Sequence, residues 1–461
     1  MTDTPPAKGR GASLTEGSLA RHLVRLTVPM TIGVLAVISV GLADAFFIGQ
    51  LGELELAAMS FIFPVTTALT SLGIGLSAGA NTLVSQALGR KDAHGARCYA
   101  AQAIVLTAAL GGVVSVAGML LWRGLFTLLQ ASDEVVLAIG EYMTLWFLGF
   151  PLLALLLVCN SAIRASGNTA WPSAVMVLSA VVNIALDPLL IFGAGPLPAL
   201  GMAGAAAATL VAYAVAILAM CWPLFVVVGV TTPANFLSAG YARTSRRLIA
   251  IGGPAALANA LNPAGLSIVT AIVSRFGPAA VAGFGVAGRI EAFVLVPLLA
   301  LSGSIGPLVG QNVGAGRFGR AGRATGLSAA FCAAYGLIVA LVLTLADEPV
   351  VRLFSDSAEV RDAAGLYLRI VSWSFFGYGV LIVVNAALNA ADHSVASMSL
   401  SVGRIALLYV PLALGGAALM GQAGVYGGAL LANLGAAAVA LLVARRYRIL
   451  AAPRARAAAA P

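Results

Sequence analysis

The sequence predicts an all-α polytopic membrane protein: twelve transmembrane helices in two six-helix bundles related by pseudo-two-fold symmetry along the membrane normal. Three observations predict it. Of 461 residues, 60% are hydrophobic and only 9% charged, and the mean hydropathy is +0.99. A soluble domain carries about 25% charged residues, so the solvent of this chain is lipid. Apolar runs broken by short polar loops give twelve candidate spans, and the second half of the chain repeats the first at a constant offset.

The spans lie near 23–49, 55–87, 96–121, 134–162, 171–192, 201–229, 247–275, 279–312, 323–345, 360–390, 394–417 and 422–444. Each reaches the roughly 20 residues that a bilayer crossing needs. Lys and Arg sort by side: 19, Arg164 among them, fall in segments on the side of the N-terminus, four fall opposite (Arg123, Arg275, Arg352, Arg361), and Arg289, Arg369 and Arg404 fall within spans. The positive-inside rule then places both termini in the cytoplasm, which an even number of spans requires. The net charge of +9 is therefore topology. With no basic–aromatic interleaving, nucleic acid is not an expected partner.

Adding 225 takes Pro29 to Pro254, Gly52 to Gly277, Gln86 to Gln311, Gly89 to Gly314, Tyr142 to Tyr367 and Asn160 to Asn385. After a two-residue deletion the offset becomes 223, pairing Pro188 with Pro411 and Gly201 with Gly424. Residues 20–230 thus read as a first bundle (spans 1–6) and 247–447 as a second (spans 7–12), with 231–246 a cytoplasmic linker. The ends read as a disordered cytoplasmic tail, 1–19, and a basic cytoplasmic tail, 448–461. No signal-peptide pattern precedes the first span, so that span directs insertion. Six is even, so the halves share one orientation, a recurrent transporter plan with alternating access by rocking of the halves.

Chemistry enters where the repeat fails. In span 5, VVNIALDP places Asn183 and Asp187 one helical turn apart on one face. Asp44 lies in span 1; the offsets set Asp44 against Val269, Asn183 against Ala406 and Asp187 against Val410. A carboxylate deep in a membrane costs about 2.5–3.5 kcal/mol on insertion scales and marks a functional site by default. At 1.5 Å per residue Asp44 lies about 32 Å along span 1 and Asp187 about 24 Å along span 5, so both reach the outer half of the membrane. Pro188 removes a backbone donor directly after Asp187. Two carboxylates in a low dielectric do not both stay charged cheaply, so the pair is expected to bind a proton near neutral pH or, with Asn183, a desolvated Na⁺. Either exchange suits a coupled antiporter.

Other polar residues are less specific. Glu291 in span 8 bridges to another helix or contacts a cationic ligand, with Arg289 off its face. Glu141 is expected to be a solvated helix-end charge. Arg404 has no partner evident from sequence. His22, His94 and His393 are scattered, and Cys98, Cys159, Cys221 and Cys332 read as small buried hydrophobes without metal spacing.

On these residues the chain resembles the multidrug and toxic compound extrusion (MATE) family over about 20–447. The carriers are GLADAFFIGQLG around Asp44, QALGRKD (86–92) with its echo QNVGAGR (311–317), IRASGNT (163–169), NIALDPLLIFG (183–193), GAAAATL (204–210) and GRIEAF (288–293). The resemblance implies a twelve-span antiporter, not an enzyme and without a cofactor, expelling amphipathic, often cationic compounds against inward Na⁺ or H⁺. The chain is most similar to the prokaryotic DinF-type branch. There Asp44, Asn183 and Asp187 match the cation-site motif, with Asn160 and Thr209 as polar neighbours. Span 7 offers only Asn259 and Asn262 where a sister branch has a Glu, and span 10 has no mid-span carboxylate. A second-half Na⁺ site is therefore not expected, and the balance favours protons.

The competing transporter reading is a lipid-linked oligosaccharide flippase of the same superfamily, which implies extra spans and a basic cavity for pyrophosphate; the sequence shows neither. A polytopic enzyme would need a catalytic constellation at one interface, and a scaffold gives no reason to keep acids in lipid. Two lysines against 24 arginines suggest a GC-rich bacterial genome, hence a bacterial inner membrane. A monomer is expected.

Overall fold

The computed structural model describes residues 13–193, 195, 198–229, 236 and 240–450. Residues 1–12, half of the expected linker (231–235 and 237–239) and residues 451–461 lie outside the described residues. The first bundle consists of α1 (Leu19–Gly49), α2 (Glu53–Gly89), α3 (Ala93–Leu128), α4 (Asp133–Ala165), α5 (Ala170–Ile191) and α6 (Gly201–Pro223). The second opens with α7 (Tyr241–Val273), α8 in two pieces (Pro278–Val294 and Val296–Gly314), α9 (Phe318–Leu345) and α10 (Ala358–Ala390). Polar loop residues start several of them. The side chains of Ser18, Asp92 and Ser357 accept from the amides of Arg21, Gly95 and Val360, a cap worth about 1 kcal/mol each.

Two irregularities decide the span count. The α8 pieces meet at a 44° bend, where Pro297 cannot donate to the carbonyl of Phe293. The Tyr335 hydroxyl donates to the nearby Val294 carbonyl at 2.9 Å. The last helix, Ser394–Arg446, has 53 residues, about 80 Å at 1.5 Å per residue, against a hydrocarbon core of about 30 Å. It is two spans. Gly421, at φ 60° and ψ −140°, turns the chain back, a conformation that glycine alone adopts readily. The arms, α11 (394–420) and α12 (422–446), pack backbone to backbone: a Cβ on Gly424 would lie 1.9 Å from the Gly416 carbonyl oxygen. Among the described residues ten long helices, with the bent pair as one further span and the last helix as two, make the predicted twelve. We expect Gly424→Val to force this hairpin apart at a cost of about 3 kcal/mol or more. Thermal unfolding of the purified variant checks it; an unchanged Tm would mean the arms do not pack in this way.

Each bundle has its own apolar core, one around Val136, Met143 and Phe150, the other around Leu298, Leu368 and Val384. The bundles meet closely at the end that carries both termini. There the duplicated motifs interlock about the pseudo-two-fold axis. Gln86 Nε2 donates to the Ala390 carbonyl at 3.0 Å, and its counterpart Gln311 donates to the Ala165 carbonyl at 2.8 Å. Ala165 plus 225 is Ala390, so the two bonds are one interaction used twice. Gly89 and Gly314 lie against the backbones of Gln311 and Gln86 respectively. The Thr82 hydroxyl adds a bond to the Asn389 carbonyl at 3.0 Å.

The segment expected to be the end of a disordered tail is docked instead. Leu14 is fully buried; its N–H donates to Gln311 Oε1 at 2.9 Å and its carbonyl accepts from Asn312 Nδ2 at 3.2 Å. Arg317 and Arg320 donate to the carbonyls of Thr15 and Glu16 at 2.6 and 2.9 Å. Residues 13–17 thus lead into α1 of the first bundle while strapped to α8 and α9 of the second. Glu141 is exposed, as expected, whereas Cys221 is exposed where burial was expected; the other three cysteines are buried.

Candidate cation site and central cleft

Three helices of the first bundle bring the sequence-selected polar residues together. Asp44 lies in the last two turns of α1 and Asp187 near the end of α5, and these helices pack against each other. α6 closes on α5 because Gly204 carries no side chain; a Cβ there would lie 2.3 Å from the Leu190 carbonyl oxygen. The carboxyl groups of Asp44 and Asp187 stand within hydrogen-bonding reach of each other. Asp187 is 0% exposed, and both its oxygens and one Asp44 oxygen are buried with no donor among the described residues. Ionised carboxyls only accept. Among the described residues the pair therefore lacks the donor that would join it.

The remaining predicted residues divide. Asn183, one turn before Asp187, is buried; its Nδ2 donates to Thr209 Oγ1 on α6 at 3.2 Å, and its Oδ1 is buried without a donor. Pro188 cannot return a bond to the Ile184 carbonyl, which leaves one more acceptor beside the pair. Asn160 is buried on α4 and shares no hydrogen bond with the acids among the described residues. Two tyrosines not picked out as site residues, Tyr142 on α4 and Tyr213 on α6, are close electrostatic neighbours of Asp44. The signal for Tyr142 was its recurrence as Tyr367. In the second bundle Tyr367 also serves a carboxyl: its hydroxyl donates to Glu291. Arg289 is exposed and takes no part.

A cavity of about 320 Å³ lies between the bundles, beyond the interlocked end. Its wall includes Asn81, Arg164, Asn259, Tyr378, Asn385 and Arg404, and no Asp or Glu. Arg404, without an evident partner in the sequence, sits in a π-helical stretch, Gly403–Tyr409. It donates to Asn262 Oδ1 at 2.6 Å and Asn433 Oδ1 at 3.1 Å, and its guanidinium lies 5.1 Å from the centre of the Tyr378 ring. Such π-turns recur at functional sites. Arg164, grouped above with the charges that set topology, stands at the interlocked end of α4 and also lines this cleft. The cleft is thus basic where the sequence showed no basic cavity, and a cationic substrate meets no counter-charge on its wall.

The profile of the MatE family matches residues 29–189 and 254–414, two segments offset by the same 225 residues as the repeat. The chain belongs to the MatE family. This MatE chain is 35% identical over 400 residues to a protein of Shewanella oneidensis named FAD transporter, covering 87% of this chain and 88% of the relative. It is 25% identical over 434 residues to the multidrug export protein MepA of Staphylococcus aureus, covering 92% and 93%. A crystal structure of a mutant of the Vibrio cholerae MATE transporter VcmN superposes with a TM-score of 0.88 at 30% identity, covering 93% of this chain and 96% of that one. The MatE chain is a multi-span membrane transporter of small molecules, not an enzyme.

Proposed function

We propose that this transporter is an antiporter: it exports small amphipathic compounds by alternating access, driven by cations that bind at Asp44 and Asp187, with H⁺ favoured over Na⁺. The observation that carries the reading is the buried, donor-less contact of the two carboxyls. One proton shared between them satisfies oxygens that otherwise repel, and its loss on deprotonation separates α1 from α5 electrostatically. The contact of the two groups favours the proton, since a bound Na⁺ has to be accommodated between them with further oxygens; Asn183 Oδ1 and the Ile184 carbonyl are the nearest candidates. With both termini cytoplasmic in a bacterial inner membrane, as the distribution of arginines supports, the interlocked end faces the cytoplasm and the arrangement is outward-facing. The protein acts as a monomer in this reading.

The test is transport by purified protein in liposomes under separately imposed gradients, with ethidium and FAD as cargo. FAD enters because the Shewanella relative bears that name. An inward pH gradient alone should drive export of at least one of the two cargoes, and a Na⁺ gradient alone should leave flux at the passive level. Flux that follows Na⁺ only would overturn the choice of ion, and flux indifferent to both would overturn antiport.

A further inference from the structure

We propose that the central cleft selects anionic substrates, seating an oxyanion on Arg164 with the ligand's amphipathic body along the wall of Tyr378 and Arg404. This rests on the transporter reading and names its substrate class. Arg164 lies at the end of α4 beside Ala165 of the interlock and lines the cleft, and its side chain makes no hydrogen bond or ion pair among the described residues; its Nε is buried without a partner. A Cβ on Gly303 of α8 would lie 3.0 Å from Arg164 Nη1, so the guanidinium reaches across to the second bundle where glycine leaves it room. Arg164 is half-buried, with Nε out of reach of solvent; a guanidinium held this way without a partner is unfavourable, and arginine does not relieve it by losing a proton. A phosphate or carboxylate, which the planar guanidinium grips through two parallel bonds, does relieve it.

The rest of the wall agrees in sign and chemistry. Arg404 is a second positive charge, held in place by Asn262, Asn433 and the Tyr378 ring. Glu291, which interacts with Arg404 electrostatically, is engaged by Tyr367 and does not line the cleft. The buried oxygens Asn385 Oδ1 and Asn389 Oδ1 have no donor and are free to accept from ligand N–H or O–H groups. At about 320 Å³ the cavity is at the small end of ligand sites. In a membrane-excluded space of this kind a cationic ligand is repelled by two fixed charges.

The experiment is equilibrium binding to the full-length protein in detergent, without any gradient, read by flavin fluorescence. FMN and riboflavin share one ring system and differ by the phosphate. FMN should bind at least tenfold more tightly, with the advantage shrinking as salt is raised, and ethidium should not displace it. Arg164→Gln should reduce the FMN advantage to within threefold, and Arg164→Lys should keep part of it. Equal affinities for the two flavins, no FMN binding, displacement by ethidium or an unchanged advantage in Arg164→Gln would each overturn the proposal. If Arg164→Gln does not fold, the wild-type comparison and its salt dependence decide alone. The antiport reading fails separately: FMN bound at equilibrium but moved by neither gradient overturns antiport and leaves the anion site standing, whereas ethidium exported with no FMN binding does the reverse.

Discussion

Asp187→Asn should abolish concentrative transport while leaving the protein folded. A monovalent ion moving through 100 mV yields about 2.3 kcal/mol, enough for a substrate ratio near 50-fold per charge. In Asp187→Asn that ratio should fall to about one, with substrate equilibrating passively or not moving at all. The amide has the shape of the carboxyl but cannot exchange a proton, and its N–H₂ can donate to Asp44. The donor missing from the buried pair is then permanently present, so the variant should melt no lower than the wild type. Gradient-driven flux and Tm measured side by side check both halves. A variant that still concentrates substrate would remove Asp187 from the coupling; a sharply lower Tm would make the acid structural.

Gly89→Ala should prevent the interlocked end from closing. A Cβ there would lie 2.1 Å from the carbonyl oxygen of Gln311, and one on Gly314 would lie 2.1 Å from that of Gln86. Both obstacles are backbone and cannot rotate away. The adjoining Gln86 and Gln311 bonds, worth about 0.5–1.5 kcal/mol each, would be lost with the contact. A bias of about 3 kcal/mol shifts a two-state equilibrium more than a hundredfold. The readout is maleimide labelling of Ser85→Cys, a position 0% exposed here, in a background where the exposed Cys221 is serine. Labelling should accelerate about a hundredfold in Gly89→Ala. An unaltered rate would mean that this contact is not a gate.

The twelve spans and the duplication are legible in the sequence because length, hydropathy and a constant offset do not depend on how helices are turned. The acids stand out for the same reason: a carboxylate inside an apolar run is costly whichever way it faces. Arg164 stands at the end of a span, as its place in the sequence implies, and there arginines commonly mark topology, so its second role is not legible. Only packing turns it toward the cleft. Tyr142 and Tyr213 look like ordinary aromatic core until α4 and α6 bring them within electrostatic reach of Asp44. Arg404 finds its partners on α7 and α12, more than a hundred residues away in one case. Leu14 stands between polar residues, Ser13 and Thr15, in a polar tail and carries no periodicity to announce its burial.

That buried leucine also limits the stroke. From Leu14 to Ser18, the cap of α1, the chain extends by at most about 14 Å. While Leu14 keeps its socket on Gln311 and Asn312, the interlocked end can part only as far as this leash allows. A wider opening must first peel it away, so shortening or stiffening the leash is a direct way to set how far the two halves swing.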